Sequence, residues 1–245
     1  MIQGALAVYY REMLIMRRRG LRLLAGMAVS PVLYFVTFSQ AIGRSVQLEG
    51  ISYTSFLLPG LAAMTSMMQA YAMASEINTA RFYFRMFDEF QASPVGSTGY
   101  VLGEVLTGIT RGLSAALVIV VIGWLFGVAF QVGALFWLGC ALNAFCFASL
   151  AVALAMVVRS HADQAMLTNF IITPMAFLGG TFFSVNSLPG WASTLLNILP
   201  LTQASHVIRQ ASLGMPVDLY RLVLLAGLGL VCFALAVYIT GKAQD

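Results

Sequence analysis

The hydrophobic residues of this chain cluster in six long segments that are separated by shorter polar stretches. A helix that crosses about 30 Å of hydrocarbon needs about 20 mostly apolar residues, because it rises about 1.5 Å per residue. None of the six segments alternates polar and apolar residues in the way that a lipid-facing β-strand does. The pattern predicts an all-α membrane protein, a single transmembrane domain over residues 1–245 with six transmembrane helices at 23–42, 56–75, 101–126, 135–158, 165–183 and 222–240.

The residues before the first segment have a different pattern. Arg11, Arg18 and Arg22 fall along one stripe of a helix at about 100° per residue, and apolar residues such as Leu6 lie between them. A basic face and an apolar face are typical of a helix that lies in the plane of the membrane surface. Residues 1–22 are therefore predicted to form an N-terminal interfacial helix. The alternative is a flank that is merely positively charged.

The composition agrees with a protein whose main solvent is lipid. Of the 245 residues, 60% are hydrophobic and 9% are charged, whereas an ordinary soluble domain has about 25% charged residues. The mean hydropathy is +0.88. These values exclude a soluble enzyme, a disordered protein and a secreted disulfide scaffold as descriptions of the whole chain. The three cysteines stand in apolar runs without metal-ligand or disulfide spacing.

The basic residues exclude one nucleotide-binding motif and predict the orientation. Lys242 is the only lysine, and it does not stand in a glycine-rich P-loop, so ATP hydrolysis would have to come from another polypeptide. If both termini lie on one side, nine basic residues fall on that side, three fall on the other, and Arg111 lies within a span. Because basic loops stay in the cytoplasm, we predict a multi-pass inner (plasma) membrane protein with both termini cytoplasmic.

Few residues carry the chemistry of an enzyme or of an ion-coupled carrier. Ser114 has no general base beside it, because His161 and His206 fall in loops on opposite sides of the membrane, where they form no metal site either. Glu104 and Arg111, seven residues apart in the third span, are a possible intramembrane pair with a functional role. The alternative is a structural or interfacial role, since an arginine near the end of a span can extend to the surface. No acidic residue lies near the middle of a span, which argues against proton or sodium coupling.

The outer connection between spans five and six, residues 184–220, is long and largely apolar. Large groups such as Trp191 would not be left in water, so we predict short re-entrant helices that enter the outer leaflet. Pro189 and a neighbouring glycine turn the chain before them. His206 and Arg209 are one helical turn apart and are predicted to face the exit of a passage, or alternatively only to anchor the loop among the head groups.

Several motifs in the second half of the chain resemble those of a known family. The chain resembles the ABC-2 type permeases, whose motifs are similar to TPMAFLGGTFF at 173–183, LPGW at 188–191, LPLT at 199–202, HVIR at 206–209, FDEFQASPV at 87–95 and LGE at 102–104. The resemblance covers nearly the whole chain. Within the family, the chain looks most like the permeases that export nodulation-type lipo-oligosaccharides.

The resemblance implies a half-transporter that dimerises, as a homodimer or with another permease, and binds two copies of a separate P-loop ATPase. That partner would bind ATP and magnesium, so this chain is expected to be no enzyme and to bind no cofactor. The other expected partners are membrane lipids, and no nucleic acid is expected. The predicted cytoplasmic coupling helix carries the ATPase contacts Arg81, Arg85, Phe87, Asp88, Glu89 and Phe90, and the predicted outer gate consists of Phe182, Phe183, Pro189, Trp191, His206 and Arg209.

The function predicted from the sequence is the membrane subunit of an ATP-driven exporter. Its passenger is expected to be an amphiphile, a lipid-linked glycan or a drug that leaves the cytoplasm or the inner leaflet. Tyr34, Phe35 and Phe38 are candidates to line its path, although aromatic residues at helical spacing also serve in packing. The alternatives are a non-transporting scaffold or assembly factor of the same fold, and a channel or secondary carrier.

Overall fold

Helices make up nearly all of the protein that the structure describes. In the computed structural model the described residues are 2–41, 47–48, 50–82, 95–128, 130–158 and 160–242. The α-helices of these residues are α1 (Ile2–Ala41), α2 (Tyr53–Tyr71), α3 (Met73–Phe82), α4 (Ser97–Leu125), α5 (Ala134–Val157), α6 (His161–Leu167), α7 (Thr173–Leu178), α8 (Gly190–Asn197), α9 (Pro200–Ser212) and α10 (Leu219–Lys242).

Short elements join some of these helices. A π-helical turn, Thr168–Ile172, connects α6 to α7, and a 3₁₀ turn, Val185–Ser187, precedes α8. Two-residue strands, β1 (Gln47–Leu48) and β2 (Ile51–Ser52), pair antiparallel before α2, with Leu48 opposite Ile51. Ser52 then caps α2, because its hydroxyl accepts a hydrogen bond from the backbone N–H of Ser55 at 3.3 Å.

Four helices of the described residues are long and apolar enough to cross a membrane. They are the Arg22–Gln40 part of α1, and all of α4, α5 and α10. Each coincides with a span predicted from the sequence. The protein is therefore an all-α membrane protein, as the hydrophobic pattern predicts.

The other two predicted spans, 56–75 and 165–183, fall on helices with different properties. Helix α2 contains tyrosine, threonine, serine and glutamine, but 15 of its 19 residues are buried by neighbouring helices. A helix enclosed by protein needs no uniformly apolar surface. The 165–183 segment is divided by the π-helical turn, since Pro174 has no N–H and cannot continue the α-helical bonding pattern.

Helix α1 continues through the boundary between the predicted interfacial helix and the first span. Its 40 residues are a single helix that contains Pro31. The first half of α1 packs on α4, where a Cβ atom at Gly103 would lie 2.6 Å from Cβ of Val8 and 2.8 Å from the carbonyl oxygen of Ala5. One face of this half is therefore held by protein rather than only by the membrane surface.

Helices α4 and α5 approach each other closely through small residues. A Cβ atom at Gly108 would lie 2.4 Å from Cβ of Ala148, and one at Gly112 would lie 2.6 Å from Cβ of Ala144. The two glycines are four residues apart on α4, and the two alanines are four residues apart on α5. The small residues therefore form matching faces on the two helices. This is the packing that small residues provide between membrane helices.

Helix α9 lies inside the bundle although half of its residues are polar. Its buried residues include Thr202, Gln203, Ser205, Arg209 and Ser212, and it packs against α2, α5 and α10. The structure thus has two short helices, α8 and α9, in the outer connection where the sequence predicts them. Only the second of them is largely enclosed by the rest of the protein.

Candidate functional site

A groove of about 440 Å³ lies between α1, the α2–α3 pair and the π-helical turn. Its lining mixes adaptable apolar side chains with hydroxyl, amide and carboxylate groups. The lining residues are Gly26, Met27, Ser30, Pro31, Tyr34, Met64, Thr65, Met68, Gln69, Tyr71, Ala72, Ser75, Glu76, Thr168 and Ile172. The volume is within the range of about 300–1,000 Å³ that is usual for small-molecule sites, and the mixed lining fits an amphiphile.

An aromatic cluster stands at one end of this groove. The ring of Tyr34, on α1, has its centroid 6.0 Å from that of Phe177 and 5.6 Å from that of Phe182. Phe38, one turn further along α1, is 4.8 Å from Phe182. The three candidate path residues thus differ in position. Tyr34 lines the groove and Phe38 belongs to the cluster. Phe35 is buried, and its ring centroid lies 5.0 Å from that of Phe126.

A tight turn after α7 carries Phe182 and is fixed by Arg209. Gly180 has a φ of +78°, which favours glycine. The Nη2 group of Arg209 donates to the carbonyl oxygen of Gly180 at 2.7 Å, and its Nε donates to the carbonyl oxygen of Phe56 at 3.3 Å. The guanidinium carbon is 3.7 Å from the centroid of the Phe56 ring. Arg209 therefore joins the turn to the start of α2.

Two further contacts hold the same turn. The hydroxyl of Tyr53 donates to the carbonyl oxygen of Phe182 at 3.1 Å. Helix α2 also runs so close to the turn that a Cβ atom at Gly60 would lie 2.6 Å from the carbonyl oxygen of Thr181. The turn is thus hydrogen-bonded to Tyr53 at the start of α2 and lies against the backbone of α2 at Gly60.

The other predicted gate residues differ in burial. Phe183 and His206 are half-buried, whereas Pro189 and Trp191 are exposed. The sequence predicts that the large apolar groups of this connection are covered, but in α8 only Leu196 is buried. Since consecutive helical residues are about 100° apart, Leu195 and Leu196 do not share a face. Leu195 is 60% exposed and Trp191 is 75% exposed, and the described bundle does not cover them.

The charged residues of α4 form salt bridges with other helices. Arg111 Nη1 lies 2.7 Å from the Glu76 carboxylate on α3, and Glu104 lies 3.5 Å from Arg11 on α1. Arg11 also pairs with Glu12. Glu104 and Arg111 are both buried, and each connects α4 to a neighbouring helix. The sequence identifies Glu104 and Arg111 as charged residues within a span. It does not reveal Arg11 and Glu76 as their partners, because those contacts join residues far apart in the chain.

Most of the predicted coupling segment lies outside the described residues. That applies to Arg85, Phe87, Asp88, Glu89 and Phe90. Arg81 is described: its Nη1 donates to the carbonyl oxygens of Ala155 and Met156 at 3.2 and 2.9 Å. These carbonyls are at the end of α5, where backbone acceptors have no partner within the helix. Arg81 therefore ties the helix that precedes the coupling segment to the bundle.

A buried polar network connects the same region to α6. The side-chain amide of Asn78 donates to Gln164 Oε1 at 3.0 Å, and Gln164 Nε2 donates to the hydroxyl of Tyr71 at 2.8 Å. Asn78 lies three residues beyond the end of the second predicted span, 56–75, but α3 extends to Phe82 and Asn78 is fully buried. No local signal identifies the network, whose members are far apart in the chain.

Comparisons with known proteins agree with the motifs. The profile of the ABC-2 type transporter family matches residues 4–213. The chain is 31% identical over 192 residues to the inner membrane transport permease YadH of Escherichia coli (strain K12). The alignment covers 76% of this chain and 73% of that protein. It is 30% identical over 214 residues to Nodulation protein J of Rhizobium meliloti (strain 1021), with 86% of this chain and 82% of that protein covered. Nodulation protein J of Rhizobium leguminosarum bv. viciae is 27% identical over 219 residues.

Proposed function

The chain belongs to the ABC-2 type transporter family, and from this premise we propose that it is the membrane subunit of an ATP-driven exporter. A partner ATP-binding subunit is general in such systems, and Lys242, the only lysine of this chain, stands in no P-loop. ATP and magnesium would be bound by that partner. The observation that carries the proposal is the mixed polar and apolar groove beside α1.

The proposed passenger is an amphiphile, a lipid-linked glycan or an amphiphilic drug. Methionines such as Met27, Met64 and Met68 give the groove an adaptable apolar part. Ser30, Thr65 and other hydroxyl groups supply hydrogen bonds for a polar head. The similarity to proteins named for nodulation supports a glycan-bearing amphiphile among these classes.

The proposed topology has six spans and both termini in the cytoplasm. Helices α1, α4, α5 and α10 supply four of the spans, and α2–α3 and α6–α7 would supply the other two. The excess of basic residues on one side supports the orientation. Helices α8 and α9 would then lie at the outer end, and the buried position of α9 supports a re-entrant placement.

The proposed dimer forms through the side of the bundle that carries α1 and the π-helical turn. Exposed residues of α1 include the polar Ser30, Thr37 and Gln40, and Asn169 of the π-helical turn is also exposed. Polar groups facing lipid are unfavourable, so protein or a water-filled passage should cover them. The exposed residues in the middle of α10, by contrast, are apolar: Val223, Leu230, Val231 and Leu235. Helix α10 is suited to lipid, and α1 to a second permease chain.

The proposed coupling to the ATPase uses the cytoplasmic segment 81–91 and the first half of α1. The Arg81 contacts with α5 and the Arg11–Glu104 salt bridge with α4 support this, because they connect both elements to spans. Movement of two ATPase copies would then be passed to the helices around the groove. At the outer end, the aromatic cluster and the turn held by Arg209 would form the gate.

A substitution that fills the groove tests this function. A Cβ atom at Gly26 would have no atom within 4 Å, and the same is true of Gly227 on the exposed side of α10. Gly26→Phe should therefore narrow the groove without a clash, and Gly227→Phe is the matched control. Inside-out vesicles that contain this chain and its ATPase are assayed for uptake of a fluorescent lipo-oligosaccharide and of a cationic amphiphilic dye.

If the chain is the membrane subunit of an exporter, at least one probe should be taken up in an ATP-dependent manner. Gly26→Phe should abolish this uptake, and Gly227→Phe should leave it unchanged. Uptake that persists without ATP would instead identify a channel or secondary carrier. ATPase binding without ATP-dependent uptake of either probe, and with no effect of Gly26→Phe on ATP hydrolysis, would favour a scaffold. Each outcome thus separates one class from the others.

A further inference from the structure

We propose that a second groove, between the middle of α1 and α4, binds one anionic phospholipid of the inner leaflet. This groove has a volume of about 340 Å³ and is lined by residues from Met13 to Met27 of α1 together with Ser114 of α4. It is separate from the transport groove except for Met27, which borders both. The choice of leaflet rests on the proposed cytoplasmic position of the N-terminus.

The shape of this lipid groove suits an acyl chain. Its apolar lining consists of Met13, Met16, Leu23, Leu24 and Met27. From Arg17 to Met27 the groove follows α1 for ten residues, which corresponds to about 15 Å at 1.5 Å per residue. Methionine side chains adapt to irregular flexible partners, so three of them beside two leucines fit a hydrocarbon chain. An apolar groove of this length in a membrane helix pair is therefore a place for a lipid tail.

The position of Arg17 favours a ligand with a negatively charged head group. Arg17 is part of the lining, and Arg18 and Arg22 are exposed within about two turns of it. Guanidinium groups bind phosphate oxygens through paired hydrogen bonds, and basic clusters beside a span attract anionic lipids. A lipid with its tail along the stretch from Gly20 to Met27 would place its phosphate beside Arg17.

The other described arginine side chains already have partners within the protein. The structure pairs Arg11 and Arg111 with glutamates, Arg221 with an aspartate, and Arg81 and Arg209 with carbonyl oxygens. Within the described residues, Arg17, Arg18 and Arg22 form no salt bridge. The described arginine side chains without a salt bridge are thus concentrated at and near the lining residue Arg17. This coincidence favours an anionic ligand over a neutral or zwitterionic one.

Gly20 keeps the groove open and offers a direct test. It lines the groove, and a Cβ atom at this position would have no atom within 4 Å. Gly20→Leu should therefore occupy the space of the lipid tail without displacing protein atoms. Gly227→Leu places the same side chain on the exposed face of α10. Arg17→Gln removes the lining charge, and Arg22→Gln removes an equal charge from an exposed neighbour outside the lining.

The experiment measures lipid retained by the full-length purified protein. Native mass spectrometry counts bound dioleoylphosphatidylglycerol after detergent exchange, with dioleoylphosphatidylcholine and inorganic phosphate as the competing probes. We expect one phosphatidylglycerol per chain, weak retention of phosphatidylcholine and no effect of inorganic phosphate. Arg17→Gln should lower the affinity about five-fold, which corresponds to one basic group near an anionic lipid surface. Gly20→Leu should abolish retention, whereas Arg22→Gln and Gly227→Leu should retain the lipid.

Three results would overturn the proposal. Equal losses in Arg17→Gln and Arg22→Gln would mean attraction to the basic stretch without a site. Undiminished retention in Gly20→Leu would place the lipid elsewhere, and equal retention of phosphatidylcholine would remove the charge requirement. None of these readouts depends on ATP or on transport, so a failure here leaves the exporter function open, and the reverse also holds. Elution of each variant as a single monodisperse species shows that the comparison concerns folded protein.

Discussion

Arg209→Ala is expected to release the tight turn at residues 179–183, called the outer turn after its proposed position, while leaving the bundle folded. In the structure this side chain donates to the carbonyl oxygens of Gly180 and Phe56 and lies against the Phe56 ring. Val185 packs beside the same turn, 3.1 Å from the position that a Cβ atom of Gly180 would take, and is 1% exposed. A cysteine at Val185 therefore reports whether the turn is in place.

The expected magnitude follows from the contacts that are lost. Two hydrogen bonds from a charged donor contribute about 3–6 kcal/mol together, and the contact with the ring adds about 0.5–2 kcal/mol. Removal of a buried charge offsets part of this loss, because its desolvation cost disappears as well. We expect local opening of the turn to become easier by about 2–4 kcal/mol, which is roughly a 30- to 700-fold increase in the open population.

The assay is the rate of reaction of the Val185→Cys thiol with an impermeant maleimide. Cys232, which is partly exposed, is first replaced by alanine, and the buried Cys140 and Cys146 serve as internal controls for global unfolding. Arg209→Ala should raise the rate at position 185 by about two orders of magnitude, with the buried cysteines still protected. Arg209→Lys keeps the charge but not the fork of donors, so its rate should be intermediate. An unchanged rate at position 185 in Arg209→Ala would refute the reasoning.

Three further predictions concern the coupling segment, the orientation and the helix packing. Phe87→Ala combined with Phe90→Ala should weaken co-purification of the ATPase without lowering the amount of permease in the membrane. Cysteines placed at the exposed Asn186 and Asp163 should differ in intact cells, with only the first reacting with an impermeant thiol reagent. Gly108→Val should lower the free energy of unfolding by about 1–3 kcal/mol, measured by chemical denaturation, because the added side chain meets α5 at 2.4 Å.

Each of these predictions has a result that contradicts it. Unchanged ATPase binding and transport in the double phenylalanine variant would exclude the segment as the coupling element. The reverse labelling pattern would place both termini outside and would invalidate the assigned sides. A Gly108→Val protein as stable as the parent, compared with Gly227→Val on the open face of α10, would show that the close approach of α4 and α5 is not required.

The sequence predicts those features of the fold that depend on local patterns. Long apolar runs identify α1, α4, α5 and α10. Pro189 before α8 and Pro200 at the start of α9 identify the breaks in the connection that leads to α10. Arg209 and the glycine pair at 179–180 are recognisable from their motif. Their hydrogen bond across 29 positions is not, because nothing in a linear pattern specifies which carbonyl a buried guanidinium meets.

The polar contacts of α3 and α4 that a linear pattern does not reveal have a common physical cause. Asn78 is a polar residue just beyond a predicted span, but its Nδ2 group donates a hydrogen bond to Gln164 inside the bundle. Glu104 and Arg111 share a helical face, yet their salt bridges run to Arg11 and Glu76. A polar side chain in a membrane protein is placed by the partner available at its depth, and the partner is supplied by tertiary packing.

The distribution of tight contacts indicates which part of the bundle can move. Helices α4 and α5 are locked by glycine–alanine contacts, and Gly112 of α4 also lies close to Ser66 of α2. Helix α2 is hydrogen-bonded to the outer turn through Tyr53 and approaches it closely at Gly60. By contrast, only 17% of the 18-residue apolar window within Arg22–Gln40 of α1 is buried. The groove has α1 on one side and the rigid α2 on the other, so a change in its width requires movement of α1 rather than of the central helices. The aromatic contacts of Tyr34 and Phe38 with Phe182 would separate in the same movement, which couples the width of the groove to the outer turn.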